Sequence, residues 1–104
     1  MIEQRRHFRR PVEYSIEIEA AGVPRIAGVC RDLSLGGMHV EATELPAFAA
    51  EVTVHLTLPG GGAPLAMPAV VRWTKPGNVG LQFGLLGARE TYAIMEVVGP
   101  PSSR

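Results

Sequence analysis

The sequence predicts an all-β fold, a small six-stranded antiparallel barrel with one short C-terminal helix. Three observations lead there. Apolar residues alternate with polar ones at a period of two in several segments, the pattern of half-buried strands. Twelve Gly and nine Pro, about a fifth of the 104 residues, fall between those segments as turn punctuation. The alternation gives way to helical spacing once, near the C-terminus. About six short strands in a chain of this size favour closure, because a closed barrel leaves no strand edge to pair with another molecule.

Residues 12–20 place Val12, Tyr14, Ile16 and Ile18 on one face and Glu13, Ser15, Glu17 and Glu19 on the other. Gly22-Val23-Pro24 turns the chain into a second strand over 25–31, and a third follows over 37–42. Residues 45–50 read as a small-residue loop with room for one helical turn. Residues 51–58 alternate again through Val52, Val54, Leu56 and Leu58, and Pro59-Gly60-Gly61-Gly62 is a flexible turn. A long strand covers 65–74, with Pro68 expected at a bulge or an edge because it cannot donate to a ladder. Pro76-Gly77-Asn78 turns into a last strand over 79–85. Over 88–98, Tyr92, Met95 and Val98 recur at helical spacing, and Tyr92 and Met95 are expected to pack the helix onto the barrel, where it can plug an open mouth. Gly99-Pro100-Pro101 stops it. The chain is thus one domain: a mobile arginine-rich arm over 1–11, a barrel with its helix over 12–98 and a loose tail over 99–104.

Ten basic and ten acidic side chains cancel, which argues against a protein that coats DNA. The distribution says more than the sum. Nine of the ten basic residues are Arg, and Arg5, Arg6, Arg9 and Arg10 lie within six positions. Cys30 is the only cysteine, so neither an intramolecular disulfide nor a cysteine-based zinc site can form. His7, His39 and His55 form no metal-binding pair, and no metal or cofactor is expected. No run approaches the ~20 apolar residues of a membrane span, and no signal peptide precedes the first strand. A cytoplasmic protein without direct membrane insertion is the expectation. No phosphate-cradling loop, dinucleotide fingerprint or nucleophile–base pair recommends a catalyst, so the chain is not expected to be an enzyme.

Two segments carry chemistry. In Gln4-Arg5-Arg6-His7-Phe8-Arg9-Arg10-Pro11, Arg5 and Arg9 are four apart, as are Arg6 and Arg10, so their side chains can project together. Grouped guanidiniums call for an anion, and phosphate accepts their paired N–H bonds. A solvated basic tail is the alternative. In Arg31-Asp32-Leu33-Ser34-Leu35-Gly36-Gly37, Asp32 and Ser34 can shape a turn or meet the edge of a nucleobase. A carboxylate suits the N1–H and N2–H₂ donors of guanine. Gly36 and Gly37 allow positive φ and close approach of a ligand. Trp73, the only Trp, either sits half-buried in the barrel wall or offers a face to a guanine. Cys30, just ahead of the second segment, reads as a small core residue.

Taken together, the two segments resemble the PilZ domain family. Arg5-Arg6-His7-Phe8-Arg9 is similar to its RxxxR motif. Asp32-Leu33-Ser34-Leu35-Gly36-Gly37 is similar to its D/N-x-S-x-x-G motif, with Asp32, Ser34 and Gly37 at the defining positions. The likeness runs on through Met38-His39-Val40, Val70-Val71-Arg72 and Gly80-Leu81-Gln82-Phe83 to the helix. It implies a six-stranded barrel that binds the bacterial second messenger cyclic di-GMP as a ligand. Arg5 and Arg9 would grip phosphates and stack on guanine, Asp32 and Ser34 would read a guanine, and Gly37 would permit the turn. The longer form RRxxxR instead fits Arg5, Arg6 and Arg10. Gln4 stands where many members have a further arginine, a position that bears on whether one ligand molecule binds or an intercalated pair.

The resemblance implies a stand-alone receptor whose arm folds onto the barrel when ligand neutralises its guanidiniums. The reshaped surface would regulate an effector protein in motility, pilus function or exopolysaccharide synthesis. The rival is a nucleotide-independent PilZ-like adaptor, but adaptors of that kind typically lack the arginine motif. A single-strand nucleic-acid binder would want more exposed aromatics than six in the whole chain can supply.

Overall fold

The computed structural model of the protein describes residues 9–60 and 62–99. Arg5 and Arg6, most of the expected arm and residues 100–104 of the expected tail lie outside that range. Six strands form: β1 (Arg10–Ala20), β2 (Ile26–Leu33), β3 (Gly37–Glu41), β4 (Glu51–Leu56), β5 (Leu65–Lys75) and β6 (Asn78–Phe83). The helix α1 (Ala88–Val98) follows. Every pairing is antiparallel. The order β1-β2-β3-β6-β5-β4 closes when β4 returns to β1, with Ile18 opposite Val54.

The period-two pattern decides what lies inside. Ile16 and Ile18 of β1, Leu33 of β2, Val40 of β3, Val54 of β4, Met67 and Val71 of β5 and Val79 and Leu81 of β6 all point into one buried core. Each such side chain contributes about 1.5–3 kcal/mol by leaving water, against the entropy of ordering it. Cys30 lies in the same core. Burial, and then the nearby Asp32 charge, push its thiol up to about 12, and Sγ–H donates to the Asp32 carbonyl at 3.2 Å. It is the inert core cysteine its position on a strand suggested.

Four local expectations are corrected. β2 runs on to Leu33, so Asp32 sits on a strand and not in the turn. Residues 45–50 form no helical turn. Ala49 takes a φ of 69° there, and the loop bonds to β5 through Ala49 N–H to Val71 O at 2.9 Å and Val71 N–H to Ala50 O at 3.0 Å. Pro68 makes no bulge: the β4 ladder passes it regularly, opposite Thr53. Its carbonyl accepts from Gly84 N–H at 2.8 Å just past the end of β6, so the missing N–H falls where that ladder is ending. The β5 irregularity comes between Val71 and Trp73, at Arg72.

The fourth correction concerns α1. Its span is as predicted, but Tyr92 and Met95 face solvent, 67 % and 42 % exposed. Ile94 is the residue driven into the core, with Ala93, Val97 and Val98 packed beside it. The helix stops at Gly99, whose φ of 79° is the left-handed geometry glycine adopts freely and whose N–H bonds Met95 O at 2.8 Å. Among the described residues no helix is long and apolar enough to cross a membrane.

Candidate functional site

The turn joining β2 to β3 is built around one hydroxyl. Ser34 is buried, and its Oγ accepts from Gly36 N–H at 3.1 Å and Gly37 N–H at 3.2 Å. Ser34 N–H in turn donates to Gly37 O at 2.9 Å. This is a Ser-centred turn in which the side chain takes the place of backbone partners. Gly36 O accepts from Phe83 N–H at 2.9 Å, which ties the turn to β6. Gly37 is a steric requirement, because a Cβ there would collide with the carbonyl of Leu81 across the ladder.

Asp32, the only aspartate of the chain, stands two residues before this turn. Its Oδ1 accepts from Arg9 Nη1 at 3.3 Å. Residues 23 apart in sequence, one from each chemical segment, are therefore in contact. The expectation that ligand neutralises the arm's guanidiniums is corrected at this position: Arg9 already pairs with Asp32. Arg10 starts β1 opposite Leu33 and is exposed.

The register then lays a row of residues across the outer wall. Asp32 of β2 lies opposite His39 of β3, His39 opposite Gly80 of β6, and Gly80 opposite Trp73 of β5. Gly80 has no side chain, and the indole of Trp73 fills the place a Cβ would take. The ring reaches toward His39, with ring centroids 5.5 Å apart, and the Lys75 ammonium lies 5.5 Å from its centroid. Trp73 keeps 39 % of its surface exposed. The half-buried position expected for this residue is the one it takes, with its indole packed against Gly80 in the wall.

Around this row opens a cleft of about 490 Å³. Arg9 lines it from the start of β1, Ser34, Gly36 and Gly37 from the turn, His39 from β3, Arg72 and Trp73 from β5, and Gly80 and Gln82 from β6. The cleft offers two guanidiniums, a planar aromatic surface, part-exposed backbone at Gly36 and a carboxylate near its edge. That set fits a planar heterocycle carrying an anion. A larger hollow of about 880 Å³ lies over the β1/β2/β4 wall, but its charged groups are already paired, Arg25 with Glu17 at 3.1 Å, His55 with Glu19 at 2.7 Å and Glu41 with Arg31 at 2.9 Å.

The sequence profile described as PilZ domain matches residues 3–94. This chain belongs to the PilZ family. Solved PilZ structures share its fold. The PilZ domain of CeSA from a cellulose-synthesizing bacterium superposes with a TM-score of 0.70 at 22 % identity, over 86 % of this chain and 93 % of that one. The PilZ domain of YcgR from Escherichia coli, solved with c-di-GMP, gives 0.75 at 16 % identity over 92 % and 89 %. The Bacillus subtilis inhibitor of motility (MotI/DgrA) gives 0.76 at 19 % identity over 93 % of this chain and 50 % of that one. No curated protein matches the chain significantly.

Of the residues the sequence singled out in this PilZ domain, Arg9, Ser34, Gly36, Gly37 and Trp73 line one cleft, and Asp32 does not line it but contacts Arg9 beside it. Arg10 does not line it, and Arg5 and Arg6 fall outside the described residues. Sequence reading missed His39, Arg72, Gln82 and Gly80. Their alternation with buried neighbours marks all but Arg72 as outward-facing, yet only the cross-strand register brings them together. Arg72 owes its place to the β5 irregularity.

Proposed function

We propose that this PilZ protein is a receptor for cyclic di-GMP, a binding module and not a catalyst, acting in the cytoplasm on an effector protein. The observation that carries the reading is the contact of Arg9 with Asp32 at the edge of a cleft that holds Trp73. Guanidinium, carboxylate and indole answer the three parts of such a ligand: phosphate, guanine edge and guanine face.

The mechanism follows from competition for the same groups. In the free protein Arg9 and Asp32 neutralise each other. A ligand phosphate offers Arg9 a better partner, because two oxygens meet the fork at once. A guanine then offers Asp32 its N–H donors, so one ion pair is exchanged for two ligand contacts. Arg5, Arg6 and Arg10 would follow the phosphates, with Arg72 flanking them from β5. Ser34, whose Oγ already accepts from two backbone N–H groups, acts chiefly by fixing the turn that lines the cleft. The rearranged arm is the surface an effector would read, and ligand shifts its population only as far as it prefers the rearranged state.

Calorimetric titration with cyclic di-GMP, with GTP and cyclic di-AMP as controls, tests this directly. Saturable binding selective for cyclic di-GMP is expected, and its stoichiometry decides between one molecule and an intercalated pair. Arg9→Ala and Asp32→Ala should each weaken it roughly 10–100-fold, the worth of one or two charge-assisted hydrogen bonds. A folded barrel that binds no nucleotide would favour the adaptor reading.

A further inference from the structure

His39 belongs to neither motif, yet it stands between the carboxylate and the indole. Its hydrogen-bond state follows from its neighbours. Asn78 Nδ2 donates to the Pro76 carbonyl at 3.1 Å. A carbonyl only accepts, so that end of the amide is the NH₂ and the other end is Oδ1. Oδ1 lies 2.7 Å from His39 Nε2 and also only accepts, so Nε2 carries the hydrogen. In the neutral ring Nδ1 is then a lone-pair acceptor. Nδ1 faces Asp32, 3.9 Å from Oδ2, while Oδ1 of the same carboxylate is taken by Arg9.

Two acceptors, Asp32 Oδ2 and His39 Nδ1, therefore stand side by side on adjacent strands, and the His39 ring lines the cleft. Neighbouring acceptors repel each other unless a donor sits between them. A primary amine on a planar ring offers two N–H groups in one plane, one for each. We propose that His39 is a specificity-determining residue of this site, its Nδ1 accepting from the exocyclic 2-amino group of a purine that Asp32 binds. The inference rests on the cyclic di-GMP reading and adds the residue that separates guanine from hypoxanthine, which lacks that amine. The Asn78–Pro76 contact has a positioning role: it fixes the tautomer that makes Nδ1 an acceptor.

The test compares cyclic di-GMP with cyclic di-IMP, its hypoxanthine counterpart, by titration of the full chain. The wild type should prefer cyclic di-GMP. His39→Phe keeps a ring beside Trp73 and removes the acceptor, and the ratio of the two affinities should fall roughly five- to tenfold, the worth of one hydrogen bond. Asn78→Leu leaves the imidazole in place and frees its tautomer, so the ratio should fall by a smaller factor, roughly two- to threefold. Circular dichroism and Trp73 fluorescence report whether each variant is folded. Equal weakening of both ligands by His39→Phe would mean a structural role and would overturn the proposal, as would an unchanged ratio in both variants. A wild type that binds neither ligand would instead bring down the receptor reading, and this inference with it.

Discussion

A methyl group added at Gly37 would meet the Leu81 carbonyl, which is backbone in the middle of a ladder. A methyl group added at Gly80 would meet the indole of Trp73, a half-exposed side chain with room to swing away. The same substitution should therefore have two different outcomes. Gly37→Ala must part β3 from β6 and should cost about 1–3 kcal/mol of stability, the usual range for overpacking. Gly80→Ala should cost well under that, yet displace the indole and weaken cyclic di-GMP by roughly tenfold, given stacking worth about 1–3 kcal/mol. Urea denaturation and calorimetry on both variants measure the two effects separately. Comparable destabilisation by both would show that Trp73 is fixed in the wall and not a movable platform. The motif residues Arg9, Asp32, Ser34 and Gly37 were legible in the sequence because their chemistry is local: a charge, a turn hydroxyl, a missing Cβ. Gly80, His39 and Asn78 were not, because each matters through a partner on another strand. A register cannot be read from one segment alone.

At the scale of elements, alternation located all six strands, since each buries one face against a single core. The errors came where another force decides. The end of β2 was placed two residues early because Asp32 and Ser34 carry turn chemistry, and the turn proper begins only at Ser34. The helix was found from its spacing, but its inward face was assigned to its bulkiest side chains. Tyr92 and Met95 share one stripe, whereas Ile94 belongs to the next, with Ala93, Val97 and Val98 around it. The smaller residues let the helix axis approach the barrel, and Ile94 then enters the core. Ile94→Ala should thus destabilise the protein by about 2–5 kcal/mol, as buried truncations of this kind do. Tyr92→Ala and Met95→Ala should each stay within about 0.5 kcal/mol of the wild type, as surface changes do. Chemical denaturation of the three variants checks the order. A large effect at Tyr92 would place its ring against a surface this fold leaves open.

The molecule as a whole is one closed sheet around one core, so a local change in protonation is felt by global unfolding. Among the described residues, the shifted groups Glu19, Tyr92 and Cys30 set the pH limits. Glu19 is held below its usual 4.5 by the hydrogen bond from His55 and, more weakly, by Arg25. Its contribution is present above 4.5 and lost as pH falls through its lower folded value. It is exposed on the wall of β1, so this acid limb should be shallow. On the alkaline side Tyr92 is raised above 10.0 by its hydrogen bond to Glu96, again at the surface. Cys30 differs because it lies inside the barrel, with its thiol raised from 9.0 to about 12. Above 9.0 the unfolded chain ionises its thiol and the folded chain does not. Stability due to Cys30 is therefore complete below 9.0 and declines as pH rises toward about 12. The alkaline limb should be the steeper of the two. Cys30→Ala separates the causes: it should lower stability at neutral pH through lost packing, yet flatten the decline that begins at 9.0. Denaturant midpoints recorded across that range, under reducing conditions, read both effects. An alkaline limb of equal slope in wild type and Cys30→Ala would assign it to surface groups and sever the link between the buried thiol and the stability of the barrel.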